Sequence, residues 1–280
     1  MIELRTSILA DGLLFPEGPR WHDGRLWFSD MHARRVMTVD HDGNLETIVS
    51  VPGSPSGLGW LPDGRLLVVS MTDRRLLRLD EKGLALVADL FDLATYHCND
   101  MVVDNSGRAY IGNFGFEPGR PQDLTPAEIV MVSPDGKASV VAEDLLFPNG
   151  MVISPEGNTL IVAETYGHRL TAFDIQADGS LSNRRIWARL DEYYPDGICL
   201  DAEGGVWTAS PVGHAGALRV TEGGDITHRV AVESNAYACM LGGDDRRTLF
   251  VLTAGHFDPM KKADARIEVV AVETPGAGLP

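Results

Sequence analysis

The sequence predicts an all-β fold, a six-bladed β-propeller with four antiparallel strands in each blade. Three observations predict it. One motif recurs six times, each copy is followed by short apolar runs separated by turn signals, and no stretch has the periodicity of an amphipathic helix. The copies begin 39 to 50 residues apart, a spacing typical of four-stranded propeller blades.

The repeated motif is a polar residue, usually followed by Gly, then an apolar stretch and a turn. Its six copies begin at Glu17, Ser56, Asn99, Asn149, Asp196 and Ala238. After each turn comes a second apolar run, such as Leu66–Ser70, and then a third, such as Leu170–Asp174. A fourth run, such as Leu45–Val51, closes most units. Runs of this length, punctuated by Asp-Gly and similar turns, are typical of hairpin-linked antiparallel strands.

The two ends of the sequence are expected to meet in the last blade. The sixth repeat ends near Thr274 after three strands, whereas the chain begins in the middle of a repeat. Residues 8–18 match residues 140–150, which occupy the end of one repeat and the start of the next. The N-terminal strand should therefore complete the last blade and hide a sheet edge. Because this closure needs both ends of the chain, residues 1–280 are predicted to form a single propeller domain.

Charge and composition exclude several classes of function. The chain carries 40 acidic and 24 basic side chains, a net charge of −16, so binding to nucleic acid or to a membrane surface is not expected. No apolar run approaches the ~18 residues that span a bilayer, and the first residues lack the features of a signal peptide. Three cysteines without metal-type spacing favour a reduced, cytoplasmic setting.

The starts of the six motifs are candidates for a metal site. The first strand of each blade lines the central channel, so these polar residues should meet at one mouth. Carboxylates and amides gathered there would be mutually repulsive and poorly solvated unless a cation lies between them. Oxygen ligands suit Ca²⁺, Mg²⁺ or Mn²⁺, and Zn²⁺ can be accommodated. We therefore predict one divalent metal ion held by Glu17, Asn149 and Asp196; the alternative is a set of Pro-x-Gly turns with solvated polar corners.

Loops that return to the same mouth are expected to carry several titratable residues. They comprise His32, Glu117, His168, His214 and His256, and His97 lies just before Asn99. A single loop histidine is more often solvated than functional. The loops Phe114–Ala127 and Gly255–Ala265 are expected to shape or cover a substrate pocket.

Taken together, these residues resemble the SMP-30/gluconolactonase (regucalcin-like) family of six-bladed propellers, along essentially the whole chain. The resemblance is carried by Glu17-Gly-Pro with Trp21, Asn99-Asp100, Phe147-Pro-Asn149-Gly-Met, and Tyr194-Pro-Asp196-Gly with Asp201 and Trp207. It implies lactone hydrolysis with one divalent metal at the positions of Glu17, Asn149 and Asp196. It also implies that Asn99 approaches both the substrate and the attacking water, and that Glu117 contacts the substrate.

One position departs from the family pattern. Sugar-lactone members carry Arg two residues before the Asn-Asp pair, where it contacts substrate hydroxyls, and this chain has His97. We therefore expect either a sugar lactone or a smaller, less polar one.

In the predicted mechanism the metal is a Lewis acid, and Asp196 takes the proton of the attacking water. Because a ligand carboxylate is a weak base, His97 or His256 could share that task.

The predicted function is thus a metal-dependent hydrolase that opens the ring of a lactone. Two alternatives stay open: a related propeller hydrolase acting on another ester or a phosphotriester, and a non-catalytic binding propeller. Motifs of serine hydrolases, zinc proteases, P-loop proteins and dinucleotide-binding folds are absent. The expected partner is a small-molecule lactone, and the expected state is a monomer or a weak homo-oligomer.

Overall fold

Short β-strands make up most of the described backbone. The computed structural model describes residues 1–117, 120, 123–213, 215–255 and 264–279. In these ranges the strands form six sheets, and helical structure is limited to turns such as the 3₁₀ turn Thr165–Gly167. None of the described helical segments has the length and apolar character needed to cross a membrane.

The first three blades each follow the chain from the channel outward. Blade one contains β3 (Pro16–His22), β4 (Arg25–Asp30), β5 (Arg35–Val39) and β6 (Leu45–Ser50). Blade two contains β7 (Pro55–Trp60), β8 (Leu66–Ser70), β9 (Arg75–Asp80) and β10 (Gly83–Asp89). Blade three contains β11 (Cys98–Val103), β12 (Ala109–Asn113), β13 (Ala127–Val132) and β14 (Ala138–Leu145). All neighbouring strands in these sheets are antiparallel.

The last three blades include strands from both chain ends. Blade four contains β15 (Pro148–Ile153), β16 (Thr159–Glu164), β17 (Arg169–Ile175) and β18 (Leu181–Arg189). Blade five contains β19 (Ile198–Asp201), β20 (Val206–Ser210), β21 (Gly216–Val220) and β22 (Ile226–Ala231), with β1 (Ile2–Arg5) and β26 (Gly276–Ala277) at its edges. Blade six contains β23 (Asn235–Gly242), β24 (Thr248–Ala254), β25 (Ala265–Ala271) and β2 (Ser7–Leu13).

The predicted closure of the ring is confirmed. Strand β2 pairs antiparallel with β25, so an N-terminal strand forms the outer edge of the last blade. Two further pairings were not expected from the repeats. Strand β1 runs parallel to β22 on the outer edge of blade five, and β26 pairs with the inner strand β19. Leu279 then exchanges two backbone hydrogen bonds with Ile153 of blade four, at 2.8 and 3.0 Å, so the C-terminal segment links two inner strands.

The core consists of apolar layers between neighbouring blades. Leu67 of blade two packs in one cluster with Met101 of blade three, and Val152 of blade four packs in another with Leu200 of blade five. A larger cluster joins blades five, six and one. Strands near the axis are covered on both faces, so the inner strand β11 and the second strand β8 are buried at every residue, and residues 66–69 of β8 form a continuous apolar run.

Closure by β2 gives a stability prediction on a single strand. Leu13 is fully buried and Ile8 is 53% exposed, although both lie on β2. We expect Leu13→Ala to lower the free energy of unfolding by about 2 to 5 kcal/mol, since it leaves a cavity at the closing contact. The matched Ile8→Ala should change it by less than about 0.5 kcal/mol. Denaturant unfolding measures both, and equal effects would contradict the role of β2 in closing the ring.

Candidate active site

Four polar residues from the starts of inner strands meet at one mouth of the channel. Glu17 lies in β3, Asn99 in β11 and Asn149 in β15, and Asp196 comes two residues before β19. All four are buried and line the same cavity, whose volume is about 670 Å³. The geometry therefore brings together Glu17, Asn149 and Asp196, as expected for a common site, with Asn99 beside them.

A β-bulge or similar irregularity occurs beside three of these side chains, those of Glu17, Asn99 and Asn149. Pairing with the second strand shifts register between Glu17 and Arg20 in blade one, and between Pro148 and Met151 in blade four. The inner strands of blades two and three shift at the same place. Bulges are frequent next to active sites because they change the direction of a side chain. At Glu17, Ser56 and Asn149 the Pro-x-Gly motif is thus the irregular start of an inner strand, whereas at Asp196 it lies just before one.

A chain of hydrogen bonds fixes the orientation of the two amides. Ser56 donates to Asn99 Oδ1 (3.3 Å), and Asn99 Nδ2 donates to Asn149 Oδ1 (3.0 Å). Asn149 Nδ2 donates to Thr165 Oγ1 (3.2 Å), whose own proton goes to the carbonyl of Pro195 (2.8 Å). Because the hydroxyl proton of Thr165 is donated to Pro195, Thr165 Oγ1 can only accept the hydrogen bond from Asn149. Asn149 Oδ1 therefore points away from Thr165 and toward the other site residues.

The two carboxylates occupy an environment that disfavours their charge. Burial raises the pKa of Glu17 to about 8, opposed by the backbone N–H of Gly18, which donates to Glu17 Oε2 at 3.0 Å. Burial, then Glu17 and Asp100, raise the pKa of Asp196 well above its usual value, and hydrogen bonds with the Asn149 side chain and the Gly197 backbone oppose that rise. Asp196 Oδ1 is buried and has no hydrogen-bond partner among the described residues. A buried acceptor of this kind is costly unless another group satisfies it.

A buried ion pair lies beside the four residues. Arg20 Nη2 contacts Asp100 Oδ1 at 2.6 Å, and both side chains are almost fully buried. The guanidinium also donates to the carbonyls of Pro19, Leu58 and Met101. Burial raises the pKa of Asp100, and Arg20 opposes that rise. Arg20 was not predicted from the sequence. The available sequence signal was an arginine three residues after Glu17, within the inner strand of the first repeat.

Aromatic residues line the walls of the cavity, and strand ends hold them there. Phe15, Phe147 and Tyr194 each stand directly before a proline that begins an inner strand or lies just before one. The last residue of the second strand fixes these segments. Asp30 accepts from Phe15 N (2.9 Å), Glu164 accepts from Leu146 N (2.9 Å), and Ser210 accepts from Tyr194 N (3.1 Å). The recurring aromatic-Pro pair was the available sequence signal for these walls.

Other residues singled out by the sequence lie elsewhere. His97 is half-buried, its Nδ1 has no partner among the described residues, and it is not in the cavity lining. Glu117 is exposed and lies 3.8 Å from Arg120, also outside the lining. The ring of His32 packs against that of Phe15 in a tilted arrangement, and His168 bonds to the carbonyl of Tyr193 (2.8 Å). His256 and His214 lie outside the described residues.

The chemistry of the donor set fits a hard divalent cation. Within the described ranges no three His, Cys, Asp or Glu side chains are grouped as metal ligands, so a site rich in imidazole or thiolate is not formed there. Glu17 and Asp196 offer carboxylate oxygens, and Asn149 offers an amide oxygen. Such ligands suit Ca²⁺, Mg²⁺ or Mn²⁺. A cation would also satisfy Asp196 Oδ1, which no protein group in the described residues does.

Comparison with known proteins finds similarity over most of the chain. Residues 15–255 match the model of the SMP-30/gluconolactonase/LRE-like region. The pentonolactonase of Haloferax volcanii is 25% identical over 89% of this chain and 85% of its own length. The 6-deoxy-6-sulfogluconolactonase of Pseudomonas putida is 25% identical over 91% of this chain and 88% of its own. The solved structure of regucalcin, a calcium-binding protein from Agrobacterium tumefaciens, superposes with a TM-score of 0.82 at 23% identity, covering 100% of this chain and 98% of its own.

The buried ion pair generates a prediction about stability. We expect Arg20→Met to lower the free energy of unfolding by about 3 to 5 kcal/mol, because it leaves the Asp100 carboxylate buried without its partner. Adding Asp100→Asn should recover part of that loss, since the unpaired charge is then removed. Denaturant unfolding of the two single variants and the double variant measures the coupling. Strictly additive effects would show that the two side chains do not stabilise each other.

Proposed function

The chain belongs to the SMP-30/gluconolactonase/LRE-like family, and we propose that it is a metal-dependent lactonase whose active site is the mouth of the channel. One observation carries the proposal. Two buried carboxylates, Glu17 and Asp196, share the floor of a cavity of about 670 Å³, and Asp196 Oδ1 has no partner among the described residues. The names of two similar proteins, a pentonolactonase and a sulfogluconolactonase, support lactones as the substrates.

Glu17, Asn149 and Asp196 are the proposed ligands of one divalent ion, of which Ca²⁺ suits the oxygen donors best. When bound, such an ion supplies electrophilic polarisation of the lactone carbonyl. The protein's own contribution is positional. Ser56, Asn99, Asn149 and Thr165 form one hydrogen-bonded chain, which keeps the amide oxygen of Asn149 turned toward the site.

Asp196 is the proposed base. Its carboxylate takes a proton from the water whose oxygen forms a new bond to the carbonyl carbon. As the ring C–O bond breaks, the same proton passes to the departing ring oxygen, so that water and lactone become one hydroxy acid. Burial raises the pKa of Asp196 in the protein without metal, and a bound cation would oppose that rise. Asn99, on the cavity wall beside Asn149, is proposed to orient the carbonyl and the water.

The remaining site residues stay predictions. His97 would serve as a second base only in its neutral form, and burial together with Arg74 lowers its pKa and favours that form. Its position outside the described cavity lining argues for an indirect role. Substrate contacts of Glu117 and His256 also stay predictions, as do the single-domain organisation, the cytoplasmic setting and the monomer or weak homo-oligomer.

Metal removal provides the first test of the proposal. Protein treated with EDTA should lose lactone hydrolysis in a pH-stat assay and regain it with Ca²⁺, Mn²⁺, Mg²⁺ or Zn²⁺ added singly. Because the ion binds only the folded chain, a concentration 100-fold above Kd should raise the free energy of unfolding by about 2.7 kcal/mol. Glu17→Gln should abolish that stabilisation, whereas Glu81→Gln, at an exposed position, should retain it.

Two outcomes would count against this assignment. Full activity of the EDTA-treated protein would show that hydrolysis does not depend on a metal ion. Full activity and full metal content in Glu17→Gln or Asp196→Asn would contradict the site assignment. Glu17→Gln should remove a metal ligand, and loss of the proton acceptor in Asp196→Asn should lower kcat by about 100-fold or more. Ester and phosphotriester substrates in the same assay separate a lactonase from a related hydrolase. Binding of substrate without turnover would favour a binding propeller.

Thr165 tests the positional part of the proposal. Thr165→Val keeps the shape of the side chain but removes the acceptor for Asn149 Nδ2. We expect a loss of about 10-fold or more in Ca²⁺ affinity, as for other groups that orient a metal ligand. Isothermal titration of the metal measures this without recourse to activity. Thr47→Val, on the exposed side of β6, is the matched control, and equal affinities in the two variants would contradict the role of Thr165.

A further inference from the structure

The cavity above the four polar residues has an almost continuous aromatic wall. Neighbouring rings of blades three, four and five are in contact in sequence: Phe114, Phe116, Phe147, Tyr166 and Tyr194. Centroid separations range from 4.9 Å for Phe114–Phe147 to 6.2 Å for Tyr166–Tyr194. These are the separations of favourable aromatic pairs, so each ring is held by its neighbours.

A second aromatic surface stands across the axis. Phe15 of blade one and Tyr237 of blade six pack with centroids 4.6 Å apart, and both line the cavity. In a ring of six blades, blades one and six lie opposite blades four and three. A ligand in the cavity therefore has aromatic faces on two sides. Val212, which is 47% exposed, extends the apolar lining of the cavity.

The polar groups of the cavity are concentrated on its floor, where the two amides and the Thr165 hydroxyl are already engaged. No Lys, Arg or His occurs among the described residues that line it. Thr165 donates to Pro195, and Asn99 and Asn149 bond to each other. Beyond the floor, the hydroxyls of the tyrosines are the polar side-chain groups of the described walls. A sugar lactone brings several hydroxyls, and each one that leaves water without a new partner costs binding energy.

The size of the cavity also exceeds that of a bare lactone ring. Its volume of about 670 Å³ lies in the range of pockets that enclose a whole drug-sized ligand. A small ring with its carbonyl at the floor leaves the aromatic walls without contact. An apolar substituent on the ring would fill that space and remove apolar surface from water on both molecules.

From this arrangement we propose that the natural substrate is a lactone with an aryl or long alkyl substituent, whose apolar part lies between the two aromatic surfaces while its carbonyl reaches Glu17 and Asp196. This inference rests on the proposed lactonase function. It names Phe116 and its neighbours as residues that determine specificity, and it differs in substrate class from the sugar lactones in the names of the similar proteins.

Three five-membered lactones test the substituent alone, since they share the same ring. The probes are γ-phenyl-γ-butyrolactone, γ-butyrolactone and galactono-1,4-lactone, each assayed with the metal-loaded enzyme in a pH-stat. We expect kcat/KM for the phenyl compound to exceed that for γ-butyrolactone by about 10-fold or more, the scale of apolar pocket discrimination. The polyhydroxylated lactone should be the poorest substrate. A preference for the sugar lactone would overturn the proposal.

A pair of variants tests whether the aromatic wall causes the preference for the phenyl-substituted lactone. In Phe116→Leu the ratio of kcat/KM for the phenyl compound to that for γ-butyrolactone should fall by about 5-fold or more, because a flat ring contact is lost. Phe91→Leu, at a 59% exposed position outside the cavity, should leave the ratio unchanged. A ratio is independent of the folded fraction of each variant. An unaltered ratio in Phe116→Leu would overturn the assignment.

Binding of a lactam separates this inference from the proposed reaction. The lactam 5-phenyl-2-pyrrolidinone keeps the shape of the phenyl lactone but is far more resistant to hydrolysis, and 2-pyrrolidinone is its unsubstituted control. Isothermal titration should show at least about 10-fold tighter binding of the phenyl lactam. If no lactone is hydrolysed but this difference holds, the proposed function fails and the apolar cavity preference stands. If lactones are hydrolysed and the difference is absent, the reverse conclusion follows.

Discussion

The close approach of neighbouring inner strands around the axis is the constraint on which the site depends. A Cβ on Gly150 would lie 2.5 Å from Ile198 N and 2.6 Å from Asp196 O, and one on Gly197 would lie 2.5 Å from the Ala238 Cβ. Real side chains do not tolerate such contacts, so only glycine permits this spacing. The residue before each of these glycines, Asn149 or Asp196, is thereby carried to the axis. The channel is narrow at this mouth because the inner strands of neighbouring blades approach each other to contact distance at these glycines.

That narrowness has an electrostatic consequence. Glu17, Asp196 and Asp100 are buried within one small region, and burial raises the pKa of each carboxyl. Such a cluster destabilises the fold unless positive charge is nearby. Arg20 provides this positive charge beside Asp100, which its guanidinium contacts at 2.6 Å. Hydrogen bonds to three backbone carbonyls hold the guanidinium in place. Asp196 receives no such group among the described residues, which is why a cation explains this side of the site better than a structural role does.

The sequence was sufficient for the blades and for the residues on the floor of the cavity, but not for its walls. Short apolar runs between Asp-Gly turns are local signals, and equivalent positions of a closed ring must meet, so Glu17, Asn149 and Asp196 were found together. The aromatic-Pro pair marks Phe15, Phe147 and Tyr194 in the sequence, but no local pattern contains the contacts that join blades three, four and five into one wall. The parallel pairing of β1 with β22 was missed for the same reason, since no turn connects Ile2–Arg5 to its partner.

The floor and the walls of the cavity are built from different parts of the blades. Glu17 and Asn149 lie in inner strands whose neighbours fix them from both sides. Most of the aromatic residues lie on the connections between strands, and hydrogen bonds to the ends of second strands hold some of these segments, as Asp30 holds Phe15. Residues on connections tolerate change better than residues of packed strands. The proposal therefore allows substrate choice to vary at Phe116 or Tyr194 while the proposed ligands on the floor keep their positions.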